Sequence, residues 1–306
     1  MKLPKEEIER RIGDSYEIPN NVLNSAPVPL VSIRTSTYQH GPYIEQCINS
    51  ILSQKTTFPI EYIIGEDFSK DGTREIVFKY AKKHPDSIRV LTADYNVGSK
   101  ANGQRCIRAA RGKYMALCEG DDYWTDPYKL QKQVDYLEKN KDCSICFHAS
   151  KHVQADNPIE FFIHRPKDAP SDNKFEMRHA VLNGGGFMAT NSMVFHREHI
   201  IERPEWVERA PVGDSPLMLI LASKGKIGYI DDVMSVYRRM TLGSWSSSMK
   251  DWNRKSQHHQ AILRMWSDFD EWTEHEFHWL VFRKKMKNRL NHAKGRIKFL
   301  IGQLTK

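Results

Sequence analysis

The hydrophobic positions of the chain follow two alternating periods between residues 30 and 140. Residues 30–36 (LVSIRTS) alternate in polarity and are rich in β-branched side chains, which predicts a strand. Residues 43–54 place apolar side chains at helical spacing, which predicts an amphipathic helix. By the same criteria we predict strands at 58–65, 87–92 and 114–118, and helices at 71–83, 99–111 and 127–140. This alternation indicates an α/β fold with a mostly parallel sheet covered by helices on both faces.

The pattern divides the chain into three parts. Residues 1–27 are polar and carry no motif, so we treat them as an N-terminal extension. Residues 28–249 are predicted to form one α/β domain with two halves, 28–122 and 123–249. Residues 250–306 are predicted to be helical and to complete the chain.

Composition agrees with a soluble globular protein, because 40% of the residues are hydrophobic and 27% are charged. The longest apolar run, residues 217–222, is far shorter than the ~20 residues that a membrane-spanning helix needs. The first residues, MKLPKEEIERR, lack the apolar segment of a secretory signal. Five irregularly spaced cysteines do not form a disulfide pattern. We therefore expect a cytoplasmic protein.

Polar side chains follow three of the predicted strands. They are STY at 36–38, ED at 66–67 and EGDD at 119–122. In open parallel sheets, ligands bind at the carboxyl ends of the strands. Carboxylates gathered there repel one another and typically coordinate a divalent cation. The alternative is that such residues cap the following helices, as we expect for Asp71.

Four blocks in this order resemble the family-2 glycosyltransferases of the GT-A fold. They are PLVSIRTSTYQHGPYIEQCINSILSQ, EYIIGEDFSKDGTREI, NVGSKANGQRCIRAARGKYMALCEGDDYW and DPYKLQKQVDYLE. The resemblance covers residues 29–240 and says little about 250–306. It implies a Rossmann-like sheet in which 28–122 bind a nucleotide and 123–249 bind an acceptor. The implied activity is inverting, metal-dependent sugar transfer of the type found in bacterial surface-polysaccharide synthesis.

The resemblance also implies roles for the residues that follow the strands. Ser36 and Tyr38 would line the nucleotide base, and Asp67 would hydrogen-bond to it. Asp121 would contact the ribose or the metal, and Asp122 the metal. Mg²⁺ or Mn²⁺ held there would neutralise the charge that develops on the leaving diphosphate.

Asp214, in PVGDSPLML, matches the position of the general base in the resembled family. The alternative is an ordinary cap of the following helix. The glycine-rich segment NGGGFMATNS, residues 183–192, allows a close backbone approach to a sugar or an acceptor. From it we select Gly185, Gly186 and Asn191, together with Trp245, as acceptor or sugar contacts.

Arg238 and Arg239 are predicted to bind the diphosphate, because guanidinium groups pair well with phosphate oxygens. Many relatives place a histidine two residues after the first of these arginines, whereas this chain has Met240. A third metal ligand from that position is therefore missing. Glu119 stands where relatives often have aspartate.

The net charge of +8 comes from the C-terminal end, because residues 283–306 contain nine basic residues and no acidic one. The body of the chain is close to neutral, so we expect no nucleic-acid partner. An apolar stripe at helical spacing runs through this basic segment: Phe282, Met286, Leu290, Ala293, Ile297, Leu300 and Leu304. It predicts a helix over 280–304 that binds an anionic membrane surface. The alternative is docking on the same chain or on a second copy.

The sequence thus predicts a glycosyltransferase that uses a nucleoside-diphosphate sugar, with UDP expected, and a glycan or lipid-linked glycan acceptor. We expect it in the cytoplasm, at the inner face of the membrane. One alternative is a nucleotide-sugar pyrophosphorylase, which would need a glycine-rich loop with Lys or Arg after the first strand. Residues 36–43 (STYQHGPY) do not provide such a loop. The other alternative is a non-catalytic scaffold or membrane-binding module that has kept the fold.

Overall fold

The computed structural model describes residues 4–25, 27–241 and 251–304. Its strands are β1 (Tyr16–Glu17), β2 (Val31–Thr37), β3 (Ile60–Glu66), β4 (Ile88–Thr92), β5 (Tyr114–Leu117), β6 (Tyr123–Trp124), β7 (Cys143–Gln154), β8 (Phe161–His164), β9 (Lys174–Phe175), β10 (Val194–His196) and β11 (Lys226–Arg239). Its helices are α1 (Lys5–Gly13), α2 (Val22–Ser25), α3 (Gly41–Leu52), α4 (Thr73–Lys83), α5 (Ser99–Ala109), α6 (Lys129–Lys139), α7 (Met177–Asn183), α8 (Glu205–Arg209), α9 (Asp214–Lys224), α10 (Trp252–Trp272) and α11 (His278–Leu304).

The strands form one sheet in the order β1-β4-β3-β2-β5-β10-β7-β11-β6, with β8 beside β7 and β9 beside β11. β4, β3, β2 and β5 are parallel, and so are β7 and β11. The other pairs are antiparallel. The sheet is therefore mixed, and its longest parallel part is the half that the alternating pattern predicted.

Burial on both faces explains the apolar strands of the parallel part. Ile33 of β2 and Ile63 of β3 are fully buried. On one side of the sheet α3 contributes Ile48, and on the other side α5 contributes Cys106. A strand covered by helices on both faces needs a nearly continuous apolar run, which residues 60–64 provide.

The N-terminal extension contributes to the sheet, although no element was predicted there. β1 adds an antiparallel edge strand beside β4, and Ile8 of α1 packs with Val97 and Ala101. The guanidinium of Arg11 donates to the carbonyl of Val97 at 3.1 Å. A strand of two residues is too short to show a period, so the sequence carried little signal for it.

The C-terminal helices differ in how they pack. α10 buries Met265, Trp266 and Phe269 in the hydrophobic core that includes β7 and β11. α11 begins with the buried Val281 and then runs back along α10. Among the helices that the structure describes, none combines the length and the apolar character required to cross a membrane.

Candidate active site

The carboxyl ends of β2, β3 and β5 lie side by side, as their polar residues predicted. The carbonyl of Thr37 accepts from the Asp67 N–H at 3.1 Å, and the carbonyl of Ser36 accepts from the Gly120 N–H at 3.0 Å. These bonds join the segments 36–38, 66–67 and 119–122 at one edge of the sheet. Tyr38 projects from this edge and is 46% exposed.

Gly120 allows the segment after β5 to lie directly on the segment after β2. A Cβ atom at this position would be 2.6 Å from Oγ1 of Thr37 and 2.7 Å from Nδ1 of His40. Both distances are shorter than real Cβ contacts, so a side chain would push the acidic residues away from the sheet. We call Glu119, Asp121 and Asp122 the acidic cluster.

Asp122 is the most buried member of the acidic cluster, with 1% of its surface exposed. Its Oδ1 accepts from the backbone N–H of Arg238 at 2.8 Å, whereas its Oδ2 has no hydrogen-bond partner among the described residues. Burial raises the pKa of Asp122 well above the usual range, and the negative charge of Asp121 raises it further. An unpartnered buried carboxylate oxygen is costly unless a ligand completes it.

The other two carboxylates of the cluster have side-chain partners. Oδ2 of Asp121 accepts from the hydroxyl of Thr241 at 2.8 Å. Glu119 forms an ion pair with Arg34 at 2.6 Å. Asp121 and Asp122 therefore offer oxygen atoms on adjacent residues, and hard divalent cations prefer such ligands. These two residues fit a bound Mg²⁺ or Mn²⁺.

Asp67 has a different environment. It is 2% exposed, and its two carboxylate oxygens accept from the backbone N–H groups of Val97 at 2.7 Å and Gly98 at 3.1 Å. Burial raises the pKa of Asp67 although these hydrogen bonds lower it. The carboxylate holds the loop before α5 against the end of β3.

Asp214 is the first residue of α9 and lies beside the glycine-rich segment. Its Oδ1 accepts from the Ser215 N–H at 2.7 Å. A Cβ atom on Gly185 would be only 2.9 Å from its Oδ2, so the glycine gives access to the carboxylate. Burial raises the pKa of Asp214, while the charge of His258 on α10 has a weaker opposite effect.

The hydroxyl of Tyr237 lies within electrostatic reach of both Asp214 and the acidic cluster. After the larger effect of burial, the negative charges of Asp122, Asp121 and Asp214 all raise the pKa of its hydroxyl. All three carboxylates therefore act on one hydroxyl of β11. The site combines two adjacent carboxylates at a strand end with a third carboxylate at a helix start.

Asn191 and Gly186 have contrasting positions in the glycine-rich segment. Asn191 is fully buried; it donates to the carbonyl of Val236 and accepts from the hydroxyl of Ser235, both at 2.9 Å. The structure thus gives Asn191 a contact that fixes the segment on β11. Gly186 is exposed, with open space around its missing side chain. Trp245 lies outside the described residues.

The two consecutive arginines of β11 point in different directions. The guanidinium of Arg238 lies between the rings of Tyr43 and Tyr123, at 4.9 and 4.7 Å, and donates to the carbonyl of Asp121. The guanidinium of Arg239 lies 5.7 Å from the ring of Phe162. Of these two arginines, Arg238 is therefore the one that contacts the acidic cluster.

Sequence reasoning missed three residues at the site. Thr241 has no motif of its own, and Arg34 appeared only as a polar position within a strand. His258 belongs to the C-terminal region, where the resemblance gave no guidance. The polar position of Arg34 in an otherwise buried strand was a detectable signal, because such a residue needs a charged partner.

Comparison with known proteins supports this description. Residues 32–203 match the family described as Glycosyl transferase family 2. An uncharacterized protein of Mycobacterium tuberculosis is 34% identical over 225 residues, which is 72% of this chain and 62% of that protein. The chain thus spans less than two thirds of this relative. TuaG of Bacillus subtilis, which carries the name of a teichuronic acid biosynthesis glycosyltransferase, is 28% identical over 73% of this chain and 86% of its own.

Solved structures confirm the predicted GT-A fold. Residues 1–349 of S. aureus TarS, in a crystal structure with UDP-GlcNAc, match with a TM-score of 0.57 and 16% identity over 78% of this chain and 65% of that one. The mannosyltransferase PcManGT of Pyrobaculum calidifontis, in complex with GDP-Man and Mn²⁺, has a TM-score of 0.56 and 16% identity over 98% and 86% of the two chains. At this identity the likeness shows the fold alone. Because the family match covers more than half of the sequence, the chain belongs to glycosyl transferase family 2.

Proposed function

We propose that this protein transfers a sugar from a nucleoside-diphosphate sugar to a hydroxyl of a glycan or lipid-linked glycan, with inversion at the anomeric carbon. The observation that carries the proposal is the buried Asp122, whose Oδ2 has no hydrogen-bond partner in the described part of the chain. It lies beside Asp121 at the edge where open α/β sheets bind ligands. A ligand that completes this carboxylate would be a divalent cation bound together with a diphosphate.

The donor is a nucleotide sugar, with UDP as the proposed carrier. TarS has been crystallised with UDP-GlcNAc, and PcManGT is in complex with GDP-Man and Mn²⁺. In this chain the exposed ring of Tyr38 is available to stack on a base, and Ser36 lies beside it. Asp67 supports this pocket by ordering the loop at Val97 and Gly98.

Asp121 and Asp122 would hold Mg²⁺ or Mn²⁺, which supplies charge stabilisation for a leaving diphosphate. Arg238 adds positive charge at the same place and is held there by the rings of Tyr43 and Tyr123. Carboxylates that were repulsive without a cation become favourable when one is bound.

Asp214 is proposed as the general base that accepts the proton of the attacking hydroxyl. Its raised pKa brings the carboxylate closer to the range in which a base works well near neutral pH. Gly185 leaves the carboxylate accessible, whereas a larger residue would cover it. The carboxylate therefore lies where an acceptor hydroxyl can approach.

The first experiment is thermal unfolding with UDP, GDP, CDP and dTDP, each with and without Mn²⁺. A ligand at about 100 times its Kd should stabilise the native state by about 2.7 kcal/mol. We expect one nucleotide to raise the Tm only when Mn²⁺ is present. If no nucleotide raises it, the scaffold alternative gains and the proposed function fails.

Two matched variants separate the roles of the carboxylates. Asp214→Asn should abolish transfer but keep the nucleotide-induced rise in Tm, because the base does not bind the nucleotide. Asp122→Asn should remove the part of that rise that depends on Mn²⁺. Equal loss of nucleotide binding in both variants would contradict the assignment of Asp214 as the base.

We also propose that α11 attaches the protein to an anionic membrane surface. Its apolar side chains face away from the protein: Phe282, Leu290 and Ile297 are 45%, 58% and 58% exposed. The face that packs on α10 is instead the one with His292, whose ring stacks on His259 at 4.1 Å. An apolar face that the described residues leave open is suited to another partner.

Charge favours lipid over a second copy as that partner. Cations flank the apolar face along its length, among them Arg283, Lys287 and Lys294. Two such helices packed face to face would bring many like charges together, whereas anionic lipids would neutralise them. The proposed acceptor, if linked to lipid, would lie at the same surface.

Vesicle sedimentation tests the membrane proposal. The wild type should bind vesicles that contain phosphatidylglycerol and should not bind pure phosphatidylcholine. Leu290→Asp should reduce binding about tenfold or more, because it removes an inserted apolar group. The control Asn291→Asp adds the same charge without losing an apolar side chain and should have a smaller effect. Equal effects, or a wild-type dimer in solution without vesicle binding, would overturn the proposal.

A further inference from the structure

Three aromatic side chains form a row across β11, β7 and β8. Tyr237 pairs with His152 in the parallel β11–β7 register, and His152 pairs with Phe162 in the antiparallel β7–β8 register. Directly paired residues project from the same face of a sheet. The ring centroids of Tyr237 and His152 are 4.9 Å apart, and those of His152 and Phe162 are also 4.9 Å apart. We call these three residues the aromatic row.

The aromatic row is exposed to solvent at Phe162, and its middle ring, His152, is uncharged near neutral pH. Phe162 is 46% exposed, an unusual position for a phenylalanine in a strand. Burial, together with the nearby His164 and Arg239, lowers the pKa of His152 to about 4. The ring of His152 is therefore uncharged near neutral pH and behaves as an aromatic surface.

The other end of the aromatic row reaches the proposed reaction site. Tyr237 directly precedes Arg238, whose N–H donates to Asp122. Behind the row, the ring of His164 lies 5.0 Å from that of His152 and its Nε2 is 3.2 Å from the carbonyl of Phe187. Phe187 belongs to the glycine-rich segment, in which Gly185 lies against Asp214. The row thus leads from the carboxylates outward.

An open groove of about 450 Å³ follows the exposed end of the row. Its lining combines rings with polar groups, including Phe162, Gln154, Glu160 and Arg239. Sugar-sized ligands need both kinds of surface, because a pyranose has an apolar face of C–H groups and a rim of hydroxyls. The positive edge that C–H groups present is attracted to the negative face of an aromatic ring.

We propose that the aromatic row binds a sugar ring of the acceptor glycan, one or more units away from the hydroxyl that is glycosylated. The inference rests on the proposed function and makes it more specific. Asp214 and the acidic cluster are not among the residues that line the groove beside Phe162, so a sugar stacked on Phe162 is not the one that reacts at Asp214. The acceptor is therefore an oligosaccharide chain of at least two units, and the row selects for its length.

Saturation-transfer NMR with free disaccharides tests the subsite without knowledge of the natural acceptor. The probes are cellobiose, maltose, chitobiose and mannobiose, compared with glucose and N-acetylglucosamine. We expect at least one disaccharide to bind the wild type more tightly than its monosaccharide. Phe162→Ala should weaken that binding about five- to tenfold, the size of one lost aromatic contact.

Tyr128→Ala is the matched control. Tyr128 is also an exposed aromatic residue, but it is not among the residues that line the groove, and its ring centroid lies 5.6 Å from the Nζ of Lys55. This variant should bind the disaccharide as the wild type does. Both side chains are exposed, so both variants should fold and keep the nucleotide-induced rise in Tm.

The outcomes separate this inference from the proposed function. If the wild type binds no disaccharide, or if Tyr128→Ala and Phe162→Ala weaken binding equally, the subsite is wrong whatever the nucleotide experiment shows. If only Phe162→Ala weakens binding but no nucleotide stabilises the protein, the subsite stands as a glycan-binding surface and glycosyl transfer fails.

Discussion

Two aspartates follow parallel strands that end at the same edge of the sheet, and the surroundings of the two carboxylates differ. Asp67 follows β3, and two backbone N–H groups complete its carboxylate. Asp122 follows β5, and one of its oxygens has no partner in the part of the chain that the structure describes. Both are buried, and burial raises the pKa of both. We infer that Asp67 stabilises the fold, whereas Asp122 is the residue to which the proposed function assigns a ligand.

The physical reason is the cost of an incomplete buried carboxylate. Burying a polar group without its hydrogen bonds costs about 1–3 kcal/mol, and more for a charged group. Asp67 avoids this cost because Val97 and Gly98 donate to it. Asp122 retains the cost in the free protein, and a bound cation would remove it. The same residue type at the same edge can therefore serve either purpose.

Asp122→Asn gives the largest expected effect and tests whether the carboxylate of Asp122 binds a ligand. Transfer activity should fall about 10³-fold, since the variant loses electrostatic stabilisation of the departing diphosphate. The free variant should nevertheless be more stable than the wild type, by about 1 kcal/mol, because a buried carboxylate is replaced by a neutral amide. Activity assays with Mn²⁺ and urea unfolding without metal measure the two effects.

Opposite signs in those two measurements are the critical result. If Asp122→Asn destabilises the free protein as well, its carboxylate contributes to the fold and the comparison with Asp67 loses its basis. Addition of Mn²⁺ with nucleotide should stabilise the wild type and leave the variant unchanged. A variant that still responds to Mn²⁺ would show that Asp122 is not a ligand.

Asp67→Ala gives the next largest effect and tests whether the carboxylate of Asp67 stabilises the fold. It leaves the N–H groups of Val97 and Gly98 without an acceptor, so the free energy of unfolding should fall by about 2 kcal/mol. Asp67→Asn keeps one acceptor and should lie between the alanine variant and the wild type. Urea unfolding measures both variants, and a stable Asp67→Ala protein that fails only in nucleotide binding would reverse the roles.

The strands and helices around these aspartates could be predicted from the sequence because each has a clear period. Apart from the two-residue strand β6, which was not predicted, the elements from β2 to α6 were predicted to within two residues at each end, as expected when burial on both faces of a sheet dictates the pattern. The segments 36–38, 66–67 and 119–122 were also placed together correctly, because parallel strands carry their carboxyl ends to one edge. Asp71 was expected to cap a helix, and it accepts from the Thr73 N–H at 3.2 Å.

Other features could not be predicted because they depend on contacts between distant segments. The carboxylate of Asp67 accepts a hydrogen bond from Val97, which lies 30 positions later in the chain, and such a contact leaves no pattern in the local sequence. The direction of Arg239 depends on Phe162, which lies on a different strand. α11 packs on α10 through its polar face and turns its apolar face outward. A helical period identifies the two faces of a helix but does not say which of them packs on α10.

Lys129 gives the smallest expected effect, a change in how the free energy of unfolding depends on pH. It is a second buried group to compare with Asp122. Its Nζ is buried and lacks a hydrogen-bond partner within the described residues. The Nζ lies 4.1 Å from the centroid of the Trp124 ring. Unlike Asp122, Lys129 has no carboxylate that could bind a metal ion. Burial lowers the pKa of Lys129 to about 7. Between about pH 7 and 10 the unfolded chain therefore holds a proton on this amine that the folded protein lacks, so stability should rise with pH by about 1 kcal/mol per unit at most. Contact with Trp124 favours the charged form and makes the slope shallower.

Lys129→Met should remove this part of the pH dependence while other titrating groups remain, so the difference between the two proteins isolates the amine. Urea midpoints measured across that pH range should converge at high pH and separate toward neutral pH, with the methionine variant the more stable. Parallel curves would mean that the amine is already satisfied when charged. Nucleotide and Mn²⁺ should leave the stability difference between Lys129→Met and the wild type unchanged. A buried group without a hydrogen-bond partner indicates a ligand site only where a ligand can reach the group, as we propose for Asp122.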